Sequence, residues 1–175
     1  MACNRGTALN SLYLLRHADA GAPPAGKTDM DRHLNDRGIQ TCQKIISNIR
    51  EDDIHPDIIL CSTATRTRET LDQIMSAWDE PIPVEYLDRI YEAHPEEIRA
   101  AIAEYTQAHN AIMVIGHNPG LQMLAMGLSE NQAGNAFRET ATNFAPGSLA
   151  KLTVHPELWE DVEPGKFTYL KLMTA

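Results

Sequence analysis

The sequence is short of cysteine, of cationic charge and of long apolar runs, and each shortage closes off a class of protein. Only three cysteines occur, Cys3, Cys42 and Cys61. Their spacings match no metal-ligand pattern and their number is odd, so they read as free thiols in a reducing compartment. A disulfide-stapled miniprotein is excluded. No apolar stretch approaches the ~18 residues that a membrane span requires. Met1 to Ser11 carries one arginine and no apolar leader core, and the run Leu12 to Leu15 is too short for one and ends in Arg16-His17. Together these features predict a cytoplasmic protein that does not engage a membrane. Lysine and arginine total 15 against 24 aspartates and glutamates, a formal net charge of -9. The long-range field of such a chain repels phosphate polymers, which argues against a nucleic-acid partner. There is no internal repeat, low-complexity tract or linker. The 175 residues, 43% of them hydrophobic, are enough for one domain, 1–175, with a real core.

What is present is an alternation of two periodicities. Leu12 to Leu15, Ile58 to Cys61 and Ala111 to Ile115 are continuous apolar runs, suited to strands buried on both faces. Between them lie helical patterns. Asn35 caps one that carries Ile39, Cys42, Ile45, Ile46 and Ile49. A second starts near Thr65 with Leu71, Ile74, Met75 and Trp78 as its inner stripe, and Pro95 opens a third with Ile98, Ala101, Ile102 and Tyr105. Pro119 stands where a fourth begins, with Leu121, Leu124, Ala125 and Leu128 facing inward. Pro81 to Tyr86 allows a short strand, and Ser148 to Val154 and Phe167 to Met173 read as a final pair. Residues 129–147 show the least periodicity and read as a loop or lid-like excursion. Strands alternating with helices predict an α/β fold, a three-layer α/β/α sandwich around a mostly parallel mixed sheet.

All three buried runs end in polar clusters: Arg16-His17-Ala18-Asp19, Ser62-Thr63-Ala64-Thr65-Arg66 and Gly116-His117-Asn118-Pro119. In open α/β sheets ligands bind at the carboxyl ends of strands, so two arginines and two histidines can meet there however far apart they lie in sequence. Arginine stays protonated and its planar fork matches phosphate oxygens. Two such forks and the helix N-termini that follow define a site for a phosphoryl dianion. One imidazole can act as nucleophile if neutral, and neighbouring guanidiniums favour the neutral form. The other can donate to phosphoryl oxygens. Arginines supply the charge neutralisation, so the arrangement calls for no metal and no cofactor. Taken singly each residue has a plainer role: Arg66 as a solvated partner of Glu69, His117 as a structural histidine, Asn118 as a turn residue and helix cap. Arg68, two residues beyond Arg66, falls on the opposite side of the helix.

The string Leu14-Leu15-Arg16-His17-Ala18-Asp19-Ala20 resembles the RHG motif of the histidine phosphatase superfamily, in its SixA-like phosphohistidine phosphatase branch. Asp29-Met30-Asp31-Arg32-His33-Leu34-Asn35-Asp36-Arg37-Gly38 is similar to that branch's D-x-x-R-P-L-T-x-x-G stretch. Ser62 to Thr70 is similar to S-x-x-x-R-A-x-x-T, Val114 to Gly120 to V-x-G-H-N-P-G, and Ala145 to Ala150 to T-G-S-x-A. The motifs follow in order along nearly the whole chain. Two positions depart from the pattern: Ala18 replaces the glycine of RHG, and His33 replaces a proline, which alters the local loop.

The resemblance implies a phosphoglycerate mutase-like fold, His17 as the residue that becomes phosphorylated, Arg16 and Arg66 as the phosphate clamp and His117 as the second pocket histidine. It also implies a carboxylic acid between the second and third motifs, for which Glu92 is the candidate. The expected activity is a metal-independent phosphatase acting on a phosphohistidine protein or on a small phosphate ester. Three alternatives remain open at this point. They are a phospho-ligand-binding module without turnover, a metal-dependent hydrolase built on His17, Asp19 and His117, and a mutase acting on sugar phosphates.

Overall fold

A computed structural model describes residues 8–175. Cys3 and most of the stretch Met1 to Ser11, which has no apolar leader core in the sequence, lie outside them. Six strands form one sheet: β1 (Asn10–Arg16), β2 (Ile58–Ser62), β3 (Val84–Leu87), β4 (Ala111–Gly116), β5 (Leu149–Val154) and β6 (Thr168–Met173), in the order β3-β2-β4-β1-β5-β6. β3, β2, β4 and β1 are mutually parallel, and β5 and β6 complete the sheet antiparallel to β1 and to each other. The predicted three-layer α/β fold is the observed one.

The two faces of the sheet are covered by different helices. Tyr13, Leu15, Ile59, Cys61, Met113 and Ile115 pack with the apolar stripe of α1 (Asp36–Glu51) and with Leu71 and Ile74 of α2 (Thr65–Ile74). Leu12, Leu14, Ile58, Leu60, Ile112 and Val114, the alternate positions of the same strands, pack with α3 (Pro95–Ala103) and α4 (Gly120–Leu128), and with Trp159 and Phe167. This is the two-residue alternation of a strand buried on both sides. Asn35 caps α1 as expected, its side chain accepting from the Gly38 N–H at 2.8 Å.

Several boundaries differ from the periodic reading. The second helix stops at Ile74 and a 3-10 turn covers Met75–Ala77, because Trp78 leaves the helical path to donate its indole N–H to the Ile54 carbonyl at 2.7 Å. The third helix ends at Ala103, before Tyr105. The excursion at 129–147 contains a helix, α5 (Asn135–Thr142), in which only Thr140 is buried. An apolar stripe is what periodicity detects, and α5 has almost none; it is held instead by hydrogen bonds, Gln122 to the Thr140 carbonyl and Thr140 to the Tyr169 hydroxyl.

Two glycines set how closely helices approach the edge where β1, β2 and β4 end. A Cβ at Gly38 would collide with the Asp19 carbonyl, and one at Gly120 with the Ala93 carbonyl. Their bare backbones let α1 abut the loop after β1, and α4 abut the turn that carries Glu92.

Candidate active site

β1, β2 and β4 end side by side, and their polar extensions meet in a pocket of about 210 Å³. It is lined by Arg16, His17, Arg32, Arg66, Glu92 and His117, with Asp19, Ala20, Asn118 and Pro146 at its margins. The two arginines and two histidines singled out from the sequence therefore converge. The His17 and His117 ring centroids are 5.2 Å apart.

Arg66 is the hub. It lies in the first turn of α2, 2% exposed, not turned outward toward Glu69. Its Nε donates to His17 Nε2 at 3.2 Å, and its Nη2 approaches His117 Nδ1 at 3.2 Å. The remaining donors reach the Asp29 carbonyl at 2.8 Å and the Asp29 carboxylate at 2.9 Å. Glu69 instead accepts from the Leu34 N–H at 2.7 Å and pairs with His33 Nδ1 at 2.6 Å. His33, the residue that replaces proline in the motif, thus gains a partner that proline lacks. Arg68 points away, over the Tyr86 ring.

The hydrogen bonds of His17 define its tautomer. Nδ1 is 2.7 Å from the Ala18 carbonyl, an acceptor only, so Nδ1 carries the proton. Nε2 then bears the lone pair, and it faces Arg66 in the pocket. The Ala18 N–H is in turn fixed by Thr70 Oγ1, which also donates to the Arg66 carbonyl, so one threonine on α2 ties the His17 loop to the arginine's helix.

Both histidines are held neutral. The His17 pKa is pushed down to about 4, first by burial and then by the charges of Arg66, Arg16 and Arg32, against the opposing bond to Ala18. That of His117 is pushed down to about 3, again first by burial, then by His17 and Arg66. The sequence argument credited the arginines; burial is the larger cause.

Arg16 has a different anchor. Its Nη1 donates to the Phe144 carbonyl at 2.8 Å, while its buried Nε has no partner among the described residues. Asn118 donates to the same carbonyl at 3.0 Å and to Gln122 at 3.1 Å; it does not cap α4, where the N-cap position is Pro119. Glu92 reaches the pocket from a backbone with φ of 46°, its carboxylate 3.5 Å from Arg66 and half exposed.

Four participants, Asp29, Arg32, Tyr91 and Ser62, were given no role from the sequence. Asp29 bridges Arg66 and Arg32 (3.1 Å) and accepts from the Tyr91 hydroxyl at 2.8 Å. That hydroxyl, with the two guanidiniums, pulls the Asp29 pKa down to about 2. Ser62, fully buried at the end of β2, meets His117 Nε2 at 2.9 Å. Asp29, Arg32 and Ser62 did carry a signal, in the D-x-x-R and S-x-x-x-R spacings; Tyr91 carried none beyond its neighbours. Among the described residues no group of three or more His, Cys, Asp or Glu side chains could hold a metal ion. Asp19, one of the trio weighed for that role, pairs with Arg37 at 3.3 Å.

A sheet-edge pocket with paired guanidiniums and an imidazole whose free lone pair looks into it defines a phosphoryl-handling protein. Residues 12–100 match the family model of the histidine phosphatase superfamily (branch 1), and the chain belongs to that family. It is 33% identical over 153 residues to the uncharacterized protein Rv1276c of Mycobacterium tuberculosis, covering 86% of this chain and 93% of that one. Two solved structures, from Nakamurella multipartitia and Agrobacterium tumefaciens, are provisionally assigned as the phosphohistidine phosphatase SixA. The first is 26% identical with a TM-score of 0.81 over 95% of this chain and 96% of that one. The second is 27% identical with a TM-score of 0.77 over 95% and 98%. The protein is a phosphatase of the SixA-like branch. No helix of the described residues is long and apolar enough to cross a membrane.

Proposed function

We propose that the protein removes a phosphoryl group from histidine on a partner protein, without a metal, through a phosphorylated His17. The observation that carries this reading is the His17 tautomer: a proton fixed on Nδ1 by the Ala18 carbonyl and a free lone pair on Nε2 beside Arg66. Nε2 attacks phosphorus in line and the bond to the leaving nitrogen breaks. Arg16, Arg66 and His117 hold the equatorial oxygens as charge spreads over them. Water then attacks phospho-His17, releasing phosphate and restoring the imidazole. Imidazole, with an ordinary pKa of about 6.5, leaves readily once protonated, so the first step makes only a light demand on an acid. The likeness to structures assigned to phosphohistidine phosphatases supports a protein substrate.

A second reading, small phosphate monoesters, is favoured by Glu92. An alkoxide leaving group needs a proton, and the Glu92 carboxyl lines the pocket beside Arg66 and can deliver one.

The test is hydrolysis of a phosphohistidine protein and of several monoesters, with no metal added, by wild type and His17→Ala. Turnover by wild type should fall by about 10³-fold or more in the variant, and wild type should trap an acid-labile phosphoryl group on His17. Undiminished activity of His17→Ala rejects the mechanism. Binding without label or turnover supports the binding module instead.

A further inference from the structure

His117 is held between two partners of opposite character. A guanidinium can only donate, so Nδ1, 3.2 Å from Arg66, is an acceptor. The single proton of the neutral ring is then on Nε2 and is donated to Ser62 Oγ at 2.9 Å. In that form the ring offers a lone pair on the edge that meets Arg66, and a lone pair repels a phosphoryl oxygen. To serve an oxyanion the ring must place a proton on Nδ1. It can gain a second proton, or it can exchange one tautomer for the other.

The surroundings oppose the first course. The groups facing the ring are His17, Tyr91, Arg66, Arg16, Asp29 and Glu92. Burial, His17 and both arginines resist a charge on it, with Asp29 acting the other way. The second course needs a group at Nε2 that can turn from acceptor to donor. A hydroxyl does this by rotating one bond. Ser62 Oγ has His117 as its one side-chain partner among the described residues, so its hydrogen is not committed elsewhere.

We propose that Ser62 is a positioning residue that lets His117 change tautomer when an oxyanion enters. Nε2 releases its proton and Nδ1 gains one, both exchanged with water, and the ring stays neutral throughout. Ser62 Oγ swings from accepting to donating, and Nδ1–H donates to the anion. The proposal rests on the phosphatase reading, but its readout does not need turnover.

The test follows the ¹⁵N-labelled imidazoles of the full chain at neutral pH, with and without tungstate, a tetrahedral dianion. Free His117 should be the neutral Nε2–H tautomer, and tungstate-bound His117 the neutral Nδ1–H tautomer. An imidazolium, or an unchanged Nε2–H form with tungstate bound, overturns the tautomer shift and leaves the phosphatase reading standing. Tungstate that leaves every pocket histidine unperturbed overturns both. In kinetics, Ser62→Ala should lower kcat about ten- to a hundredfold, since the buried Nε2 loses its one partner among the described residues, with KM changed less than about threefold. Ser62→Thr, which keeps the hydroxyl, should recover most of the loss. Wild-type kcat in Ser62→Ala overturns the proposal.

Discussion

The sheet has two halves that serve the same pocket in different currencies. The parallel half, β3-β2-β4-β1, ends at the pocket and delivers side chains: Arg16 from β1, His17 just beyond it, Arg66 past β2 and His117 past β4. The antiparallel half contributes through backbone. The segment entering β5 supplies the Phe144 carbonyl to Arg16 and to Asn118, and the Gly147 N–H to the carbonyls of Arg16 and His17. Ser148 accepts from the Arg16 N–H. In the proposed mechanism one half does the chemistry and the other keeps it in register.

This contrast predicts a ranking of effects. On the parallel side, Arg66→Ala removes a group that touches His17, His117, Asp29 and Glu92 together. Its kcat/KM should drop by about 10²–10³-fold, measured on the best available substrate, and by more than in Arg16→Ala. An equal loss in the two variants would break the idea of a hub.

A middling effect concerns acid. His17 and His117 both belong to the parallel half, and both have pKa values depressed from about 6.5, to about 4 and about 3. The unfolded chain binds more protons than the folded one between those limits. Stability from these groups is therefore complete above pH ~6.5 and is lost as pH falls toward 4 and then 3. Urea unfolding at pH 7.5 and 4.5 should show that loss, and His117→Gln should make it shallower. An unaltered difference would assign the acid sensitivity elsewhere.

The smallest effect is expected on the antiparallel side. Phe144→Leu keeps the carbonyl and most of the buried volume, so kcat should stay within about threefold of wild type even if the melting temperature drops. A large fall in kcat would mean that the ring, not the backbone, positions Arg16.

The same division explains what could be read from the chain. Arg16, His17, Arg66 and His117 were legible because three buried apolar runs each end in a polar cluster, and the combination says what no one of these residues says alone. The sheet and four of the helices were legible because their apolar stripes repeat at two or 3.6 residues. Phe144 was not, because a carbonyl has no signature in residue type. Helix α5 was not, because polar hydrogen bonds and not an apolar face hold it. Asp29 and Tyr91 come from separate loops whose meeting depends on tertiary packing, and the reach of Glu92 depends on a left-handed backbone that no side chain announces.

The pairing of Asp29 with the guanidiniums has one more consequence. Arg16, Arg32 and Arg66 stand beside Asp29 and Glu92, and Asp29 bridges two of the three, so carboxylates offset part of the positive charge of the cleft. From a distance an approaching phosphate meets the field of an acidic protein, which a partly offset cleft does little to counter. Capture therefore begins at contact, when the incoming oxygens compete with resident carboxylates for the same N–H groups, and ligands that cannot win that exchange are turned away at the door.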